Sequence, residues 1–155
     1  MNDAPPTDAD LLAHAVAEAR AGLAEGGIPI GAALVQADGT VLGTGRNRRV
    51  QMESATRHGE TDCLENVGRL PAGVYAASTM VTTLSPCDMC TGAILLYGIP
   101  RVVIGENRNF VGGEDYLRSR GVEVVVLDDP ECIDFMGGFI RDHPSLWNED
   151  IGVED

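Results

Sequence analysis

Apolar positions near the start of the chain recur at helical spacing: Leu11, Leu12, Ala15, Val16, Ala19 and Leu23 share one face. Thr7 or Asp8 can cap this helix, and Gly26-Gly27 stops it. The period then changes. "PIGAALVQADGTVLGTGRN" predicts two short strands around the turn "ADGT", a hairpin signal. "HGETDCLENVGRL" returns to helical spacing from near His58 to near Gly68. "STMVTTLS" is β-branched and strand-like, and "CDMCTGAILLYGI" is a helix stopped by Gly98 and Pro100. "RVVIGE" predicts a strand, "GEDYLRSRG" a short helix and "VEVVVLDD" a fully apolar strand. "ECIDFMGGFIRDH" predicts a last long helix, followed by the tail "PSLWNEDIGVED".

The resulting order is α-ββ-α-β-α-β-α-β-α. Strands that alternate with helices imply parallel neighbours joined by right-handed crossovers. The expected fold is therefore α/β: a three-layer α/β/α sandwich around a mixed five-stranded sheet whose first two strands form an antiparallel hairpin. A chain of 155 residues is enough for one domain with one sizeable core. The expectation is a single domain over residues 1–155, with a flexible tail at 1–9.

Composition narrows the setting. Hydrophobic residues make up 44% of the chain, as expected for a globular protein. No apolar run approaches the ~18 residues of a membrane span. "MNDAPPTDAD" has neither the basic nor the apolar region of a secretory signal. These features predict a cytoplasmic protein with no membrane partner. The charge sum is 11 basic minus 24 acidic residues, or −13. Nucleic-acid backbones are gripped by Lys and Arg, so the balance argues against a polynucleotide partner.

Four cysteines are present: Cys63, Cys87, Cys90 and Cys132. A reducing compartment makes a disulfide framework an unsuitable reading. Cys63 and Cys132 lie in apolar-periodic surroundings and read as small buried residues. Cys87 and Cys90 form a Cys-x-x-Cys pair, which serves either as a redox dithiol or as half of a metal site. Of the three histidines, His14 falls at an exposed position of the first helix and His143 just before Pro144. His58 begins a helix. Cys87 and Cys90 begin another, on one face, and both helices follow strands. Their N-termini can meet at one edge of the sheet, where helix dipoles favour thiolates. One nitrogen and two sulfurs suit zinc and leave a fourth position for water, as in catalytic sites. Glu60, two residues beyond His58, is a poor co-ligand but can face that position. Zinc lowers the pKa of its water to ~7, and a neighbouring carboxylate can take that proton and pass it on.

The pattern "HGE" followed by "PCDMC" resembles the zinc-dependent cytidine deaminase superfamily. "EGGIPIGAAL", "ATRHGETDCLENVGRL", "TTLSPCDMCTGAILLYGIPRVVIGENRNF" and "WNEDIG" are similar to its fungal-type, free-base cytosine deaminase branch. The likeness runs from about Glu25 to Gly152. The chain departs from the branch at Arg57, where an apolar residue is usual, at Thr61-Asp62-Cys63, and in the loop "VGGED" after Phe110.

The resemblance implies one zinc per chain on His58, Cys87 and Cys90, with Glu60 as proton shuttle. It implies that the Asn47 amide and the Gly59 N–H hold the O2 edge of a pyrimidine. Asp150 would meet the amino or ring N–H edge, and the Ser85 carbonyl the departing amine. Ile30, Phe110 and Trp147 would line the ring faces. Without the resemblance, Asn47 is a turn residue, Phe110 and Trp147 are core, and Asp150 is a solvated tail charge. The implied activity is hydrolysis of cytosine to uracil and ammonia by a homodimer acting on a small nucleobase. The alternatives are another small amino-heterocycle (guanine, a triazine or a nucleoside), tRNA adenosine, or a non-enzymatic zinc domain. Trp147 and Asp150 lie close to the C-terminus, so residues 144–155 are expected to form a lid segment.

Overall fold

The computed structural model describes residues 4–155. Its elements run α1 (Asp8–Ala24), β1 (Gly31–Gln36), β2 (Val41–Arg46), α2 (Arg49–Met52), α3 (Gly59–Val67), α4 (Ala72–Tyr75), β3 (Ser78–Leu84), α5 (Asp88–Leu96), β4 (Arg101–Glu106), α6 (Glu114–Ser119), β5 (Glu123–Val126), α7 (Pro130–Asp142) and α8 (Pro144–Asp150). The sheet order is β2-β1-β3-β4-β5. β1 pairs antiparallel with both β2 and β3, and β3, β4 and β5 are parallel. This is the mixed five-stranded sheet read from the hydrophobic pattern.

Each central strand is buried on both faces, so its side chains divide by parity. Ala32, Leu34, Met80, Val102 and Ile104 face the layer that contributes Cys63, Ile94 and Leu117 from α3, α5 and α6. Ala33, Val35, Val81 and Val103 face Leu12, Ala15 and Val16 of α1 and Cys132 of α7. The result is helix, sheet, helix. A third apolar cluster of Ile28, Ile30, Leu84, Met136, Phe139 and Trp147 closes one end of the sheet.

Two readings of the chain termini change. Residues 1–9 were expected to be a tail, but α1 already starts at Asp8. Thr7 and Asp10 form a reciprocal cap, with the Asp10 N–H on Thr7 Oγ1 at 3.1 Å and the Thr7 N–H on Asp10 Oδ2 at 2.9 Å. Asp8 also takes a paired contact from Arg101 at 2.7 and 2.8 Å. The part of that expectation at 1–3 lies outside the described residues. The C-terminal "PSLWNED" is helical. His143 ends α7, and Pro144 is well suited to the first position of the next helix.

Candidate active site

Four strand ends converge on one edge. Gly31, the first residue of β1, lies opposite Arg46, the last of β2. Ala32 faces Thr82 near the end of β3, and Leu84 faces Glu106 at the end of β4. The loops that leave this edge carry Asn47, His58, Ser85, Cys87 and Phe110.

His58 caps α3 in extended conformation, and its N–H donates to Thr61 Oγ1 at 2.9 Å. Cys87 caps α5 in the same way, and Cys90 lies within the first turn. Cys87 Sγ is 3.3 Å from His58 Nδ1. The ligand atoms of His58, Cys87 and Cys90 all lie within 4.8 Å of one another, and this is the cluster of metal-ligating groups found among the described residues. Zinc bonds of ~2.0 Å to nitrogen and ~2.3 Å to sulfur, set tetrahedrally, place those atoms about 3.5 Å apart. The donor set and its spacing therefore fit zinc with one position left over.

The electrostatics follow from burial and proximity. A hydrogen bond from Cys90 and the nearby His58 hold the Cys87 thiol down at about 4. That same bond and burial raise Cys90 well above its usual range. Burial opposes a charge on His58, but Cys87 and Asp150 outweigh it and lift the imidazole to about 9. Glu60 is only 4% exposed. Burial, then the Cys87 charge, raises its carboxyl to about 7.

Asp150 is not a solvated tail charge, since it is buried. Burial also raises its carboxyl. One of its oxygens stands 3.4 Å from His58 Nε2 and accepts from the Asn47 amide at 2.9 Å. A carboxylate on the far nitrogen of a ligating histidine fixes the ring and its tautomer. The resemblance assigned Asn47 and Asp150 to different edges of a base, whereas here the two side chains bond each other. Asn47 Oδ1 also accepts from the Arg49 N–H at 3.1 Å, so the asparagine is held from both ends.

Gly59 packs against the start of β1. A Cβ there would come within 3.3 Å of the Ile30 side chain and 3.4 Å of the Ile30–Gly31 backbone. Ile30, Glu60, Leu84, Ser85 and Trp147 help enclose an inner chamber of about 20 Å³, room for about one water molecule. An open outer basin of about 580 Å³ lies beyond it. His58, Cys87, Phe110, Asp150 and Ile151 border both spaces. Trp147 meets Phe110 edge to face, with ring centroids 5.6 Å apart.

Leu84, Ile151 and Arg49 line this region without having been singled out from sequence. Glu114 was also missed. Buried in α6, it accepts from Ser85 Oγ at 2.6 Å and from the Asn107 amide at 3.1 Å, and Ser85 Oγ accepts from the Gly112 N–H at 2.9 Å. It thereby pins the loop that presents Ser85. A lone glutamate in "GGEDY" carries no signal of this. His14 is exposed, as its helical position predicted, and His143 caps α7.

A nitrogen and two cysteine sulfurs at paired helix starts, with a buried carboxyl group beside them on a mixed α/β/α sheet, define a zinc-dependent deaminase site. The cytidine and deoxycytidylate deaminase zinc-binding region matches residues 5–106, and the chain belongs to that family. It is 58% identical to a cytosine deaminase of Candida albicans over 141 residues, 91% of this chain and 94% of that protein. It is 35% identical to a tRNA-specific adenosine deaminase of Streptococcus pyogenes over 69% of this chain and 67% of that one. A solved guanine deaminase of Nitrosomonas europaea superimposes with a TM-score of 0.72 at 22% identity, covering 89% of this chain and 86% of the other, and so shares the fold. His58, Glu60, Cys87 and Cys90 fall inside the matched region. Phe110, Trp147 and Asp150 fall beyond it.

Proposed function

We propose that the protein hydrolyses cytosine to uracil and ammonia in the inner chamber beside His58, Cys87 and Cys90. The observation that carries this reading is the extent of the likeness to the Candida cytosine deaminase. It covers 91% of this chain and 94% of that protein, and so passes beyond the zinc-binding region at residues 5–106.

His58, Cys87 and Cys90 hold zinc, which when bound supplies a water acidified to near pH 7. Glu60 faces that position, accepts the proton of the attacking water and delivers it first to ring N3. It then takes the proton of the new C4 hydroxyl and delivers it to the amine, so that the C4 carbonyl forms as ammonia leaves and the carboxylate ends as it began. Asn47 and the Gly59 N–H hold the O2 edge. Ile30, Phe110 and Trp147 cover the ring faces and keep out bulk water. The Ser85 carbonyl accepts from the amine. Asp150 orients His58 and closes the amino side of the chamber.

Ammonia release from about a dozen amino-pyrimidines, purines and triazines tests the reading, and cytosine is expected to lead. A purine or a triazine turned over far faster than cytosine overturns it. Turnover of a tRNA anticodon stem in preference to the free base does the same. Metal analysis of active protein is expected to give about one zinc per chain. Active protein without zinc, or a fourth protein ligand in a metal-loaded structure, removes the site as drawn.

The remaining elements of the reading concern setting. The substrate is a free base, consistent with the −13 charge, and nucleic acid is not a partner. All four thiols are free, which suits a reducing cytoplasm. No described helix is long and apolar enough to cross a membrane. The chain forms one deaminase domain that pairs as a homodimer. Leu96 at 75% and Tyr97 at 43% exposure offer apolar surface to a partner at the end of α5. Sedimentation is expected to give twice the 16.4 kDa chain mass, and a monomer at micromolar concentration refutes the dimer.

A further inference from the structure

Two positions where the chain departs from its branch, Arg57 and Asp62, lie in one cluster. Asp62 has no exposed surface. It follows His58 by one turn of α3, with its N–H on the His58 carbonyl at 2.8 Å. Its Oδ2 accepts from the Arg46 N–H at 3.0 Å, from Arg48 Nε at 3.0 Å and, more weakly, from the Asn66 amide at 3.4 Å. Its Oδ1 lies 3.6 Å from Arg57 Nε. Asn47 sits between Arg46 and Arg48, two of the residues whose groups bond Oδ2. The Arg48 N–H in turn donates to the Arg57 carbonyl at 2.9 Å, so the loop bearing Asn47 is stitched to the residue just before His58.

Close backbone approach makes this possible. A Cβ on Gly45 would lie 2.2 Å from the Cys63 nitrogen and 2.7 Å from the Asp62 carbonyl carbon. Glycine therefore lets the end of β2 press onto α3, bringing the Arg46 N–H within reach of Asp62. A carboxylate with no access to water persists only when charged and hydrogen-bonding partners replace its hydration. Here Arg46 and Arg48 on one side of the site and Arg57 on the other supply the charged and backbone partners, and among the described residues Oδ1 has the Arg57 ion pair alone.

We propose that Asp62, with Arg48 and Arg57, is a positioning residue that fixes the distance between the base-holding amide of Asn47 and the His58–Glu60 turn. This rests on the cytosine reading above. Asp62 touches no reacting atom and acts through Asn47. Arg48 and Arg57 side chains are 27% and 25% exposed, so both can turn to water when Asp62 is removed, and the variant is expected to fold.

A shift of about 1 Å in a group that positions substrate can cost on the order of 10²-fold. Asp62→Ala is expected to lower kcat/KM for cytosine by that order, with most of the loss in KM and zinc retained. Asp62→Asn keeps an acceptor oxygen and is expected to lose less. In an Asn47→Ala background, Asp62→Ala is expected to add little, because coupled residues are non-additive. A lowered Tm with unchanged KM overturns the proposal, as does full multiplication of the two effects. Hydrogen exchange on the full metal-loaded chain supplies a readout independent of substrate. Exchange across residues 46–49 is expected to quicken at least about tenfold in Asp62→Ala while the strands stay protected. Unchanged exchange there refutes the clamp even if cytosine is the substrate. Wild-type protein inert toward cytosine refutes the functional reading alone, and the exchange result then decides the clamp.

Discussion

Glu60→Gln is expected to abolish nearly all turnover while the protein keeps its zinc. The substitution preserves size and hydrogen-bonding reach and removes only the capacity to carry a proton. General acid–base catalysis contributes ~10²–10⁴ in rate, and Glu60 serves more than one transfer in each cycle, so a loss at or above that range is expected in kcat. The environment fits the task. Burial of this nearly inaccessible carboxyl raises it above the usual carboxylate range, which favours its holding a proton between transfers. Glu60 lies outside the cluster of ligand atoms, so metal content is expected to stay near that of the wild type. Steady-state kinetics with metal analysis on the same preparation check both halves. Near-normal turnover removes Glu60 from the mechanism, and zinc loss with inactivity makes it a structural support of the metal instead.

The parts of this site that sequence discloses are those set by local chemistry. Helix starts at His58 and Cys87, the one-turn spacing to Cys90, and the carboxylate two residues past the histidine are short-range patterns. So are apolar strands such as "VEVVVLDD", whose alternation with helices predicts the parallel half of the sheet. Short helices are not disclosed in this way. α2 and α4 have four residues each and α8 has seven, too few for a helical period to stand out. Long-range partnerships are also hidden. Asn47 and Asp150 meet across a separation of 103 residues. Glu114 reaches Ser85 only because α6 packs beside the loop after β3. Arg57 and Asp62 looked like separate oddities in the sequence. The approach of β2 to α3 shows them to be members of one cluster.

Removal of the chain after His143 is expected to cost kcat/KM for cytosine at least on the order of 10²-fold, through loss of both ring cover and orientation. The inner chamber holds about one water, so a base enters only if a wall moves. His58, Cys87, Phe110, Asp150 and Ile151 stand between chamber and basin, and two of these five, Asp150 and Ile151, come from α8 and the residue after it. The segment of α8 covers the chamber with Trp147 and Asp150, and we propose it as the lid. Opening would separate Trp147 from Phe110, and Asp150 from Asn47 and His58. Closure would restore both contacts over a bound base, in keeping with lids whose opening limits product release. Trp147 also packs with Ile28, Ile30, Leu84, Met136 and Phe139. Truncation thus uncovers apolar core and lowers stability by a few kcal/mol, as loss of a buried aromatic does. Point variants separate the two effects. Asp150→Ala leaves that cluster intact and is expected to weaken both cytosine turnover and discrimination between bases, with Tm nearly unchanged. Trp147→Phe keeps most of the apolar cover and is expected to retain more activity than the truncation. A truncated chain that folds, binds zinc and deaminates cytosine with unchanged kcat/KM would leave the lid without a role and Asp150 outside the site.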